Sequence, residues 1–191
     1  PCTPMLSARG DARNPLQKAG HASLVETQSG AWYIAHLAAR PLPNKGMCVL
    51  GRETALQKVM WTQDGWLRLA QGDFVPQLCV KAPNLPPHPV APLPVRDDFE
   101  LRDAIGYPYQ TLRVALGENI ATLKERPGFL RLYGRDSLHS KYTQALVARR
   151  QQAFCYTAET AMDYTPRSYH EAAGLICLYD TESFYYLYAT R

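Results

Sequence analysis

The sequence predicts an all-β protein built from two units. Three observations carry this. Short apolar runs recur between turn signals such as Ser-Gly, Asp-Gly and Pro-Gly, the pattern of strands joined by tight connections. Six prolines fall within the twelve residues from Pro83 to Pro94. Each lacks an N–H and fixes φ, so the stretch forms neither helix nor central strand. Composition also changes across it: Trp32, Trp61 and Trp66 precede it, whereas eleven of the twelve tyrosines lie from Tyr107 onward. The predicted division is a unit over 1–82, a stiff extended linker over 83–95 and a unit over 96–191. A proline-rich ligand for an SH3-type domain is the other reading of the linker.

In the first unit, residues 22–26 and 31–38 flank the polar turn Gln28-Ser29-Gly30 and read as a hairpin. Leu56, Lys58 and Met60 alternate with Gln57, Val59 and Trp61; Asp64-Gly65 then turns the chain into Trp66-Leu67-Arg68-Leu69. Short antiparallel strands with aromatic tips build propeller blades, and equally any small antiparallel sheet, so periodicity does not choose. In the second unit, strands are expected at 110–116, 128–133, 143–148, 153–160, 172–179 and 183–190, a spacing that suits a β-sandwich. Segment 141–152 also has helix propensity. The last run, Ser183 to Thr190, is strongly strand-like and calls for a neighbouring strand.

Composition narrows the function classes. With 191 residues, 46% hydrophobic and 20% charged, the chain is globular and able to bury a core; disorder, collagen and coiled coil are excluded. A net charge of +4, dispersed along the chain, gives no argument for nucleic acid. No apolar run approaches the ~20 residues of a membrane-spanning helix. Residues 1–5 lack the form of a signal peptide and an initiator Met, so the sequence is expected to begin inside a longer protein. Cysteines at 2, 48, 79, 155 and 177 are odd in number and irregularly spaced. They read as buried or incidental thiols of a cytoplasmic protein rather than a disulfide framework or a zinc site.

Chemical motifs are sparse. His21, His36, His88, His139 and His170 show no metal-ligand spacing, and there is no GxSxG, P-loop or GxGxxG. The carboxylates are scattered, so spacing names no acid/base pair. Asp97-Asp98 suits turn chemistry before Phe99 better than ion binding. Two stretches stand out. His21 sits between Gly20 and small residues just ahead of an apolar strand, and Arg52 follows Gly51 ahead of another. A guanidinium there can fork to hydroxyls or a carboxylate; chemistry alone leaves both positions open to a structural role.

Longer stretches carry a resemblance. Gly20-His21-Ala22-Ser23-Leu24-Val25-Glu26-Thr27 with Trp32-Tyr33-Ile34-Ala35-His36-Leu37 is similar to the late propeller strands of family 43 glycoside hydrolases, in particular the bacterial β-xylosidases. So is Leu50-Gly51-Arg52-Glu53-Thr54-Ala55-Leu56, leading into Trp61 to Leu67. Asp97-Asp98-Phe99, Arg126 to Gly134, Leu146 to Gln151 and Ala173-Gly174-Leu175 resemble the family's C-terminal concanavalin A-like sandwich. The resemblance implies an all-β chain: part of a five-bladed β-propeller followed by part of a jelly-roll sandwich.

It also implies inverting removal of xylose from the non-reducing end of xylo-oligosaccharides. That chemistry needs an acid, a base that activates water and a third carboxylate that tunes the acid. In the family all three come from earlier blades. Pro4-Met5-Leu6 resembles the segment downstream of the acid, so the catalytic carboxylates are expected upstream of residue 1 and none within the chain. By the same resemblance His21 faces the central channel near a hydrated calcium ion, and Arg52 binds the substrate. Trp32, Trp61 and Trp66 are expected to pack between strands. The chain alone is expected to be inactive toward xylosides or arabinosides. Two other readings are a lectin-like module using Tyr107, Tyr109, Tyr133, Tyr185, Tyr186 and Tyr188, and a partner that complements a separate catalytic chain. Homo-oligomerisation or missing segments would cover the open edges of two incomplete folds.

Overall fold

The computed structural model describes residues 4–100 and 102–191; among these there are ten strands and no helix. Contacts divide the chain into two compact units. One runs up to Pro89 and includes Gln152–Phe154; the other holds Val90–Gln151 and Cys155–Arg191. The break falls inside the proline-rich stretch, where missing N–H groups prevent ladder pairing.

The first unit is a four-stranded antiparallel sheet of β1 (Gln17–Glu26), β2 (Trp32–Ala39), β3 (Glu53–Trp61) and β4 (Leu67–Leu69), in that order. Its two hairpin turns share one sequence grammar, Thr27-Gln28-Ser29-Gly30 and Thr62-Gln63-Asp64-Gly65. In each, the threonine N–H donates to the carbonyl beyond the glycine, Ala31 or Trp66, at 2.9 Å. Each hydroxyl donates to that same carbonyl, at 3.0 Å and 2.7 Å. Gly30 and Gly65 take φ of +77° and +80°, a region that side chains disfavour, so glycine closes both turns.

Alternation along β2 and β3 builds the core. Ile34, Val59 and Leu69 are buried, with Met5, Leu6, Trp32 and Leu67 packed against them. Gln57 is also fully buried on β3. Its amide donates to the Gln77 carbonyl at 2.8 Å, while its own carbonyl accepts from the Gln77 N–H at 3.1 Å. Asn14 donates to the Pro76 carbonyl at 3.1 Å and the Ser7 N–H to the Phe74 carbonyl at 2.8 Å. The segments before and after the sheet are thus strapped to each other and to β3. Trp32 and Trp61 meet edge to face at 6.0 Å, while Trp61 and Trp66 remain half exposed.

The second unit departs from its sequence reading. It contains three two-stranded pairs: β5 (Tyr109–Gln110) with β8 (Ala148–Arg149), β6 (Ala121–Thr122) with β7 (Arg131–Leu132), and β9 (Ala173–Leu178) with β10 (Phe184–Ala189). The expected strands at 172–179 and 183–190 form the last pair. Those at 110–116, 128–133 and 143–148 shrink to two-residue pairs, and 153–160 carries no strand. A strand exists only where a partner offers matching donors and acceptors, and among the described residues these runs have few. The helix over 141–152 does not form. Thr143 N–H donates to Ser140 Oγ at 3.1 Å and Asp136 N–H to the Thr143 carbonyl at 3.1 Å, so local turn bonding replaces a helical ladder.

The unit's buried residues are Ile120, Ala121, Thr122, Leu123, Gln144 and Leu146. Asp97 accepts from the Phe99 N–H at 2.9 Å and pairs with Arg102 through two bonds of 2.8 and 3.1 Å. It therefore has the turn-forming role expected of it. The thiols are not buried: Cys79, Cys155 and Cys177 are exposed and Cys48 half buried, all unbridged, while Cys2 lies outside the described residues. Cys48, Cys79 and Cys155 lie on irregular segments, and Cys177 falls on an exposed position of β9.

Candidate functional site

His21 and Arg52 are both presented by irregular backbone at the same end of the sheet. The β1–β2 register slips on either side of Gly20, and His21 itself takes φ +48°. A bulge of this kind re-aims a side chain that regular alternation would fix. Gly51, at φ +68° with its N–H bonded to the Cys48 carbonyl at 3.0 Å, turns the chain so that Arg52 precedes β3. Cross-strand pairing sets the neighbours: Gly20 lies opposite Leu37 and Leu37 opposite Thr54, while Ala22 lies opposite His36 and His36 opposite Ala55.

These elements enclose an open hollow of about 330 Å³ lined by His21, Ser23, Ala35, His36, Leu37, Arg52, Glu53 and Thr54. The two residues singled out in the sequence therefore share one cavity. Four polar lining residues, Ser23, His36, Glu53 and Thr54, escaped the sequence reading as site candidates. Glu53, the one carboxylate in the lining, is gripped by Arg40 through bonds of 2.7, 3.0 and 3.2 Å. That bidentate pair raises the Arg40 pKa above its usual value, the side-chain bond to Glu53 being the main cause. Thr54 adds a hydroxyl. His36 is buried at 1% exposure on β2, with its Nδ1 2.9 Å from the Leu37 carbonyl. The signal for His36 was present: Trp32, Ile34, His36 and Ala38 occupy alternate positions on β2, so a polar ring was due on an inward face.

The arrangement offers a guanidinium fork, two imidazoles and two hydroxyls around a small hollow. That is chemistry for holding polyhydroxylated ligands. It does not offer two opposed carboxylates, the requirement for glycoside hydrolysis. Nor do the residues around His21 fit a calcium cage. Calcium takes six to eight oxygen ligands; here the lining carboxylate is held by Arg40, and no described cluster of three His, Cys, Asp or Glu is placed for a metal.

Comparison with known proteins defines the class. Residues 96–191 match the profile of the "Beta xylosidase C-terminal Concanavalin A-like domain" and residues 1–67 that of "Glycosyl hydrolases family 43". The chain belongs to glycoside hydrolase family 43. It is 43% identical over its full length to a xylan 1,3-beta-xylosidase of Vibrio sp and 41% identical to the beta-xylosidase of Bacillus subtilis strain 168. The crystal structure of xylan beta-1,4-xylosidase from Bacillus halodurans C-125 superposes with a TM-score of 0.89 at 46% identity, covering all of this chain and 36% of that one. The chain spans about 37% of the length of the curated relatives. Its fold is accordingly part of a five-bladed propeller followed by part of a concanavalin A-like sandwich, as the sequence resemblance implied.

Proposed function

We propose that the hollow is one wall of the sugar pocket of an inverting glycosidase that releases xylose, or the closely related arabinofuranose, from non-reducing ends. Arg52 forks to sugar hydroxyls and keeps neighbouring carboxylates ionised. His21 borders the same space as a hydrogen-bonding neighbour. The acid, the base and the modulating carboxylate belong to earlier blades. Any calcium near His21 takes its oxygen ligands from there too. The observation that carries this reading is the meeting of His21 and Arg52, which lie thirty-one positions apart in sequence, in one cavity. Exposed thiols support a reducing, cytoplasmic location.

Two measurements test the reading. Calorimetric titration of the 191-residue chain with xylobiose is expected to show weak binding that Arg52→Ala reduces about tenfold, the loss of a charge-assisted hydrogen bond. Assay with a nitrophenyl xyloside is expected to show no turnover. Turnover abolished by changing a single carboxylate of this chain would overturn the assignment of the catalytic groups.

The lectin-like reading retains one supporting observation: Tyr107 and Tyr185 are 84% and 85% exposed. Binding that survives Arg52→Ala but fails on Tyr185→Ala would favour it.

A further inference from the structure

The strand register defines a floor for the hollow. Ser23 on β1 lies opposite Ala35 on β2, and Leu37 on β2 lies opposite Thr54 on β3. Cross-strand partners share a face of a sheet, as do residues two apart on one strand, so these four side chains stand on one face. All four line the hollow that His21 and Arg52 border. Gly20, opposite Leu37 on the β1 side, presents no side chain, and a Cβ added there would meet nothing within 4 Å. The floor is thus an aliphatic strip, Ala35 and Leu37, with a hydroxyl on each flanking strand.

The Thr54 hydroxyl stands out. Thr54 is exposed and lies two positions beyond Arg52. Thr27 and Thr62 commit their hydroxyls to the Ala31 and Trp66 carbonyls. Among the described residues the Thr54 hydroxyl has no protein partner. A sugar hydroxyl both donates and accepts. Arg52 only donates, whereas a threonine oxygen accepts as well, so the two supply opposite halves of that demand.

We propose that Thr54 is a specificity-determining residue of the hollow, its Oγ1 accepting a hydrogen bond from one sugar hydroxyl while the C–H face of the ring lies on Ala35 and Leu37. This rests on the hollow being a sugar site and names a hydroxyl that the site reads. A ligand lacking that hydroxyl forfeits the bond. The penalty is modest, because an exposed threonine turns back to water.

The test uses the whole chain, xylobiose, and xylobioses deoxygenated singly at each hydroxyl of the non-reducing unit. Thr54→Val deletes the hydroxyl but keeps the branched shape that suits a strand; Thr54→Ser keeps the hydroxyl. Binding of xylobiose is expected about threefold to tenfold weaker for Thr54→Val and within about twofold of the parent for Thr54→Ser. One deoxygenated ligand is expected to bind the parent weakly by the same factor and to lose nothing further with Thr54→Val, the signature of a direct pair. Amide NMR spectra check that both variants keep the sheet, and in the parent the Thr54 methyl resonance is expected to shift on addition of xylobiose. Three results would each overturn the role of Thr54 while Arg52→Ala still weakened binding and the sugar site stood. These are parent-like binding by Thr54→Val, equal losses in both variants, and a loss that adds fully to every deoxygenation. An unmoved methyl resonance would count the same way. Failure of the parent chain to bind xylobiose would overturn the sugar-site reading, and this inference with it.

Discussion

Single buried or paired residues act through how their polar atoms are matched. Gln57 is the clearest case, since both ends of its buried amide are bonded to the Gln77 backbone. Gln57→Ala would remove both bonds to the Gln77 backbone and empty the buried space that its side chain fills, at about 0.5–1.5 kcal/mol per hydrogen bond plus the cost of the cavity. A drop of roughly 2–3 kcal/mol in urea-unfolding stability is expected. Asp97 gives a pH prediction. Its bonds to Arg102 hold its pKa below the usual carboxylate value. A depressed folded-state pKa stabilises the fold above the unfolded value of about 3.9 and ceases to do so as pH falls through the folded one. Acid unfolding of the second unit below about pH 4 should therefore be blunted in Asp97→Asn, which is less stable at neutral pH; parallel thermal melts at pH 7 and pH 3 check it. His21 and Arg52 stood out in the sequence through the stretches around them, and the structure places both along one hollow. His36 was legible only as an inward-facing polar ring on β2; which of its nitrogens would find a partner was not, because hydrogen bonds cannot be counted from alternation.

At the scale of elements, legibility followed pairing distance. The β1–β2 and β3–β4 hairpins could be read directly, since each carries its own turn and its own alternation. In the second unit β9 and β10 pair as sequence neighbours, as expected, but β5 pairs with β8, 38 or more residues away, and β6 with β7 through two residues each, so most of the expected runs find little to pair with. Strand propensity says that a segment tolerates a ladder; it does not supply one. The β9–β10 hairpin gives a sharp prediction. A Cβ on Gly174 would run into the Leu187 carbonyl oxygen, a backbone atom that cannot step aside alone. Gly174→Ala is expected to cost roughly 1–3 kcal/mol of local stability, read as faster amide exchange along Phe184–Ala189. Unchanged protection there would show that the two strands do not sit so close.

For the molecule as a whole, the contact units do not follow chain order. Gln152–Phe154 belong with the first unit although the sequence placed them in the second. Phe154 lies under the Arg40 guanidinium, 5.2 Å from ring centroid to Cζ. Phe154→Ala should therefore destabilise the first unit by about 0.5–1 kcal/mol, and should do so with no change at Arg40 or Glu53 themselves. A melt of a chain ended after residue 95 is expected to show the same deficit or more.

That long reach has a consequence for biosynthesis. Roughly a hundred residues separate Glu53 from Phe154, which at ~5–20 residues per second is ~5–20 s of ribosome time. The four-stranded sheet can close while the nascent chain is still emerging, but the aromatic brace beneath its acidic wall arrives late. The vestibule around Arg52 thus acquires its final rigidity only after translation has passed well into the following module.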